Sequence, residues 1–127
     1  MPMDNLNIPE TPDTPTINLD ASTGVLEISG KSLPEDVREF YTPVLAWLNE
    51  YCSKPKEKTL LKMRMDYFNT ASSKMLLEVL ETLNKLHRSG GDVRVEWSYH
   101  EDDEDMAEAG EDYSDMLDLP FELISFR

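Results

Sequence analysis

The chain has 127 residues, with 26 acidic side chains against 12 basic ones and a formal net charge of −14 at pH 7. That length fits one compact domain, and that charge is repelled by phosphate backbones and anionic lipid, so nucleic acid and membrane are poor partners. A single cysteine, Cys52, excludes an internal disulfide and a cysteine-based metal cage and suits a reducing compartment.

The apolar residues make up 39% of the chain, and they fall into periodic clusters. A chain of this size buries roughly two-thirds of its unfolded surface and folds without a structural metal. The opening Met1-Pro2-Met3-Asp4-Asn5 lacks the basic and then apolar segments of a secretory signal. No apolar run approaches the roughly 20 residues that cross a bilayer. A cytoplasmic location is expected.

Residues 1–13, with Pro2, Pro9 and Pro12 among polar neighbours, read as a loose lead-in to a single domain spanning 1–127. Residues 14–19 and 25–29 read as short strands, and Asp20-Ala21-Ser22-Thr23-Gly24 between them signals a hairpin turn. Ser32-Leu33-Pro34-Glu35 has the form of a capping box. Val37, Phe40, Tyr41, Val44, Trp47, Leu48 and Tyr51 then recur at helical spacing. Pro43 predicts a kink or a restart, and Lys54-Pro55-Lys56 closes the helix.

Residues 59–68 alternate, placing Leu61, Met63, Met65 and Tyr67 on one face of a strand and Leu60, Lys62, Arg64, Asp66 and Phe68 on the other. After Asn69-Thr70 a second helix shows Leu76, Val79, Leu80, Leu83 and Leu86 on its inner face, and Gly90-Gly91 stops it. Val93, Val95, Trp97 and Tyr99 mark a fourth strand. A third helix runs through Met106, Ala109, Gly110, Tyr113 and Met116, and a last strand spans Phe121–Phe126, with Pro120 at its edge. The order β-β-α-β-α-β-α-β predicts an α/β fold with a mixed five-stranded sheet. It is packed by three helices, or four where Pro43 divides the first. No repeats occur.

The segment joining the alternating strand to the second helix concentrates hydroxyls: Thr70, Ser72 and Ser73 crowd the first turn. Connections at the carboxyl ends of parallel strands are where open α/β sheets carry function. One reading is structural, with Asn69 or Thr70 capping free N–H groups for about 1 kcal/mol. The other is that a hydroxyl receives a phosphate, adding about −1.5 to −2 charges at the positive end of the helix dipole. The fold tolerates such a group there, whereas a docked partner must desolvate it.

Tyr67-Phe68-Asn69-Thr70-Ala71-Ser72-Ser73-Lys74 resembles the corresponding segment of the SiaC family of bacterial regulatory phosphoproteins. The resemblance extends through Ile8-Pro9, Thr14-Pro15, Gly24 to Gly30, Pro34-Glu35, His87-Arg88-Ser89-Gly90-Gly91, Val95-Glu96-Trp97 and Pro120-Phe121. It implies a fold similar to anti-sigma-factor antagonists (STAS-like). It also implies that Thr70 is phosphorylated by a partner kinase and dephosphorylated by a PP2C-type phosphatase. The unphosphorylated form would bind and activate a GGDEF-type diguanylate cyclase, raising cyclic-di-GMP and favouring aggregation and biofilm. Tyr67, Asn69, Thr70, Ala71, Ser72, Ser73 and Lys74 would form the partner-binding surface. The alternatives are an anti-sigma-factor antagonist using the same switch, or a small acidic metal binder.

Neither a catalytic residue nor a cofactor is assigned. Glu101-Asp102-Asp103-Glu104-Asp105 lacks the alternating ligands and glycine of a calcium loop; it reads as a solvated helix start or a docking surface for a basic partner. His87 and His100 fall in no recognisable ligand spacing, and Cys52 follows Tyr51 and Trp47 in a core-facing pattern. Trp47, Tyr51, Trp97 and Tyr99 read as core or half-buried residues.

Overall fold

The computed structural model describes residues 3–127, so Met1 and Pro2 of the expected lead-in lie outside the described residues. One sheet holds β1 (Leu6–Ile8), β2 (Thr16–Leu19), β3 (Val25–Ser32), β4 (Lys58–Phe68), β5 (Asp92–His100) and β6 (Phe121–Phe126), in chain order. The helices are α1 (Val37–Ser53), α2 (Thr70–Arg88) and α3 (Glu104–Met116). β1, β2 and β3 pair antiparallel, and β3 to β6 pair parallel.

The sheet is mixed, as expected, but has six strands instead of five. The sixth lies in the lead-in, where three residues are too few for a periodic signal. Leu6 and Ile8 stand opposite Leu19 and Ile17 and pack on the core. Two polar contacts fasten this segment: Trp47 Nε1 donates to the Asp4 carbonyl at 2.8 Å, and the Ala21 N–H donates to Asn5 Oδ1 at 2.9 Å.

Strands that follow one another across the sheet, joined by right-handed crossovers, put every helix on one side. The core is therefore a single layer between sheet and helices. Leu26, Ile28, Leu61, Met63, Val95 and Trp97 rise from the strands to meet Tyr41, Val44, Leu48, Leu76, Leu80 and Leu83. The opposite sheet face is left open among the described residues.

Three local departures from the expected pattern matter. Ser32 does not cap α1. It is the last residue of β3, fully buried opposite Phe68, and the cap is Asp36, whose side chain accepts from the Glu39 N–H at 3.1 Å. Pro43 does not restart α1, so three helices cover the sheet. Glu39 and Pro43 are both exposed, so water can reach the Glu39 carbonyl that loses its donor.

The third departure lies in β4, where the register slips: Gly30 pairs with Met65 but Lys31 with Tyr67, leaving Asp66 as an extra residue. Such a bulge inverts the alternation beyond it. Tyr67 therefore points out of the open face, 52% exposed, instead of joining Leu61, Met63 and Met65. Phe68 turns inward, edge-on to Trp97 at 6.3 Å.

The stop at Gly90-Gly91 is as expected. Gly90 takes φ +103°, and the Gly91 N–H donates to the Leu86 carbonyl at 3.0 Å. In α3, a Cβ on Gly110 would lie 2.5 Å from Trp97 Cδ1, so only glycine lets this helix rest on the indole.

Candidate functional site

β4 ends at the carboxyl edge of the sheet and hands the chain directly to α2. Asn69, with extended backbone (φ −84°, ψ 176°), is the cap: its Oδ1 accepts from the Ser72 N–H at 2.8 Å. Its own N–H donates to the Ser32 carbonyl at 3.3 Å, pinning the loop to β3. This assigns the capping role to Asn69. Thr70 is then the first helical residue, exposed, and its hydroxyl makes no hydrogen bond among the described residues.

The three hydroxyls have separate fates. Ser72 is fully buried and donates to the Ser32 carbonyl at 2.8 Å while accepting from Ser32 Oγ at 2.8 Å. Ser32 Oγ spends its one proton on Ser72, so the Tyr41 hydroxyl, 2.6 Å away, donates to Ser32. Ser73 is half-buried; its hydroxyl donates to the Thr70 carbonyl at 2.7 Å, and its carbonyl accepts from the Tyr113 hydroxyl at 2.8 Å.

Of the seven residues expected to meet a partner, Tyr67, Thr70, Ala71 and Lys74 are at the surface, and Asn69 and Ser73 are half-buried. Ser72 has no exposed surface and holds the helix to β3, so a direct partner contact through it is ruled out by burial. Ser32, Tyr41 and Tyr113 support the site from below and were not legible as site residues. Their hydroxyls converge only once β3, α1 and α3 are packed against α2.

Burial pushes the Tyr41 phenol up to about 12, partly offset by its bond to Ser32, and pushes Tyr113 up as well. A raised acid pKa in the folded state favours folding below the unfolded value of about 10, and the benefit is lost as pH climbs through the folded value. Denaturant titration should therefore show constant stability from these groups up to pH ~10 and a loss of about 2–3 kcal/mol from Tyr41 between pH ~10 and ~12. A Tyr41→Phe variant should lack that component of the loss; the same alkaline decline in wild type and variant would refute it.

The charge around the site is uneven. α1 carries Glu39 in its first turn and α3 carries Glu104 and Asp105, but the first turn of α2 holds no acidic side chain. The positive end of its dipole is therefore uncompensated. The acidic run 101–105 serves α3 instead, Asp103 capping it by accepting from the Met106 N–H at 3.0 Å. Among the described residues no group of three or more His, Cys, Asp or Glu side chains is arranged to hold a metal ion. Cys52 is half-buried, and burial pushes its thiol up, away from the reactive thiolate. No helix is long and apolar enough to cross a membrane among the described residues.

Fold and site together define a small mixed α/β protein with one helical layer and an exposed threonine opening its second helix. A family model described as SiaC family regulatory phosphoprotein matches residues 8–126, and the chain belongs to that family. It is 32% identical, over 94% of both chains, to an uncharacterized protein of Pseudomonas aeruginosa (strain UCBPP-PA14). A solved structure of SiaC of Pseudomonas aeruginosa matches with a TM-score of 0.90 at 29% identity, covering 98% of this chain and all of that one (100%). A chain in the crystal structure of diguanylate cyclase SiaD in complex with its activator SiaC, from the same organism, matches with a TM-score of 0.91 at 30% identity. That match covers 95% of this chain and 99% of the other.

Proposed function

We propose that this chain is a phosphorylation-switched activator of a GGDEF-type diguanylate cyclase. Unphosphorylated, it binds the cyclase and raises cyclic-di-GMP, promoting biofilm and aggregation in a bacterial cytoplasm. A partner kinase places a phosphate on Thr70 and blocks the complex, and a PP2C-type phosphatase reverses the block. The chain acts by binding and not by catalysis.

One observation carries the choice of residue: Thr70 is the exposed hydroxyl at the head of α2, with its capping duty taken by Asn69 and no carboxylate in its turn. Ser72 is sealed inside and Ser73 is tied to the Thr70 carbonyl. A dianion on Thr70 meets free N–H groups and the dipole, so the fold accepts it, while a docked partner has to desolvate it. Lys74, one turn on, is placed to meet either the partner or the phosphate. A STAS-like relationship of the fold belongs to the same proposal, supported by sequential parallel strands under a single helical layer.

Phosphosite mapping by mass spectrometry on protein from its own cells tests the assignment. The expected result is phosphate on Thr70, lost in Thr70→Ala without transfer to Ser72 or Ser73. A bare Thr70 under every growth condition would leave Thr70 a structural residue only.

A further inference from the structure

The two ends of the sheet are finished differently. β1 is three residues long and runs into Pro9, so it offers little for another strand to pair with. β6 has six residues, Phe121–Phe126, with no proline or lysine among them. Its inner side is fixed by the Val95 N–H donating to the Pro120 carbonyl at 2.9 Å and the Glu101 N–H donating to the Phe126 carbonyl at 2.8 Å. Successive residues of a strand turn their backbone groups to alternate sides, so Glu122, Ile124 and Phe126 face β5. The N–H and C=O groups of Leu123 and Ser125 face outward, and no strand among the described residues pairs with them.

We propose that this outer edge of β6 is a docking site for an extended, lysine- or arginine-bearing segment of another protein, which adds a seventh strand to the sheet. The site lies two strands away from β4 and its Thr70 loop, so it is separate from the switch and does not rest on the cyclase reading.

Charge chooses the occupant. Tyr113 reaches toward α2 to hold the Ser73 carbonyl, and Gly110 rests on Trp97 and Leu123. At 3.6 residues per turn, Glu104, Glu111 and Asp115 then fall on the flank of α3 away from α2, above the β6 edge, and all three are exposed. On the open face Glu122 is exposed along the same edge. The neighbouring cations are already engaged. Arg127 lies 4.0 Å from Glu101, Arg94 3.5 Å from Glu96, Arg88 2.6 Å from Asp118 and His100 3.8 Å from Asp102, while Arg64 stacks on Phe126. Basic side chains on an added strand therefore meet carboxylates on both faces, and Leu123, 36% exposed, gives that strand an apolar contact. A second copy is the poorer occupant. Pairing β6 with β6 sets two α3 regions side by side, each with ten carboxylates and no lysine or arginine over residues 101–118.

Amide exchange followed by NMR on the full chain tests this, with a capped peptide of alternating lysine and valine as the probe and its glutamate–valine counterpart as the control. In the free chain the Leu123 and Ser125 amides should exchange fast while those of Ile124 and Phe126 are protected. The lysine peptide at saturation should slow Leu123 and Ser125 by about tenfold, and the glutamate peptide should leave them unchanged. Ser125→Pro removes an outward N–H without touching a bond to β5 or changing the charge, and should weaken calorimetric affinity for the lysine peptide by about tenfold. The double variant Glu104→Lys with Glu111→Lys should do the same, whereas Glu57→Lys, on the loop after α1, should stay within about twofold. Thermal melts check folding, and the exchange measurement on wild type decides the matter even if Ser125→Pro is unstable. No binding of the lysine peptide overturns the proposal. Binding that both edge variants leave unchanged also overturns it, being attraction to net charge alone. A wild-type dimer in light scattering that Ser125→Pro dissociates gives the edge to a second copy and overturns it as well.

Discussion

Phosphorylation of Thr70 is expected to weaken cyclase binding by about 100-fold, equal to about 2.7 kcal/mol, while leaving the fold intact or slightly firmer. The two effects have opposite signs because they arise in different places. Within the chain, the new charge faces the uncompensated head of α2, where a negative group is worth about 0.3–1 kcal/mol of stability. Across the interface, it must lose its water and meet the partner's surface. Thr70→Glu carries half the charge, so about a tenfold loss is expected from it, again with no drop in melting temperature. Titration calorimetry on the phosphorylated, Thr70→Glu and Thr70→Val proteins checks the series. Binding within twofold of wild type by the phosphorylated protein would sink the switch. A stability loss in Thr70→Glu would show that the dipole argument is wrong.

Trp97→Ala is expected to cost about 3–5 kcal/mol, a large part of the roughly 5–15 kcal/mol typical of a domain. The indole is fully buried, donates from Nε1 to the Met106 carbonyl at 2.9 Å, and meets the Phe68 and Tyr113 rings at 6.3 and 5.6 Å. It is also the floor on which Gly110 lies, so no neighbour fills the space without moving α3. Because Tyr113 holds the Ser73 carbonyl, loosening this cluster should also speed amide exchange in the first turn of α2. Urea unfolding gives the first quantity, read as a shift of midpoint at constant slope. A cost under about 1 kcal/mol would mean that the aromatic cluster is not what fixes α3 to the sheet.

The elements were legible wherever the apolar period was long. α2, with five leucines and valines at helical spacing and a double glycine behind it, matches expectation to within a residue or two. β5 and β6 do so as well. What escaped was set by pairing. β1 has too few residues to show a period, and only its register against β2 makes it a strand. Tyr67 sits in unbroken alternation in the sequence, yet one unpaired residue against β3 turns it over. Ser32 looked like a cap because a proline and a glutamate follow it; the cap is Asp36, and Ser32 was needed inside for Tyr41 and Ser72. At the site, the crowd of hydroxyls was visible, but which one is free depends on a serine forty residues upstream.

The order of strands across the sheet has a consequence for how the molecule is made. During synthesis each parallel strand emerges after the one it will lie beside, with a single helix between them. Domains form from the amino-terminal side as the ribosome adds about 5–20 residues per second. In this topology every newcomer extends an existing margin, and none has to wedge between two partners already joined. The nascent chain can therefore keep what it has folded at each step, with α3 and then β6 the elements added after β5 ends at His100.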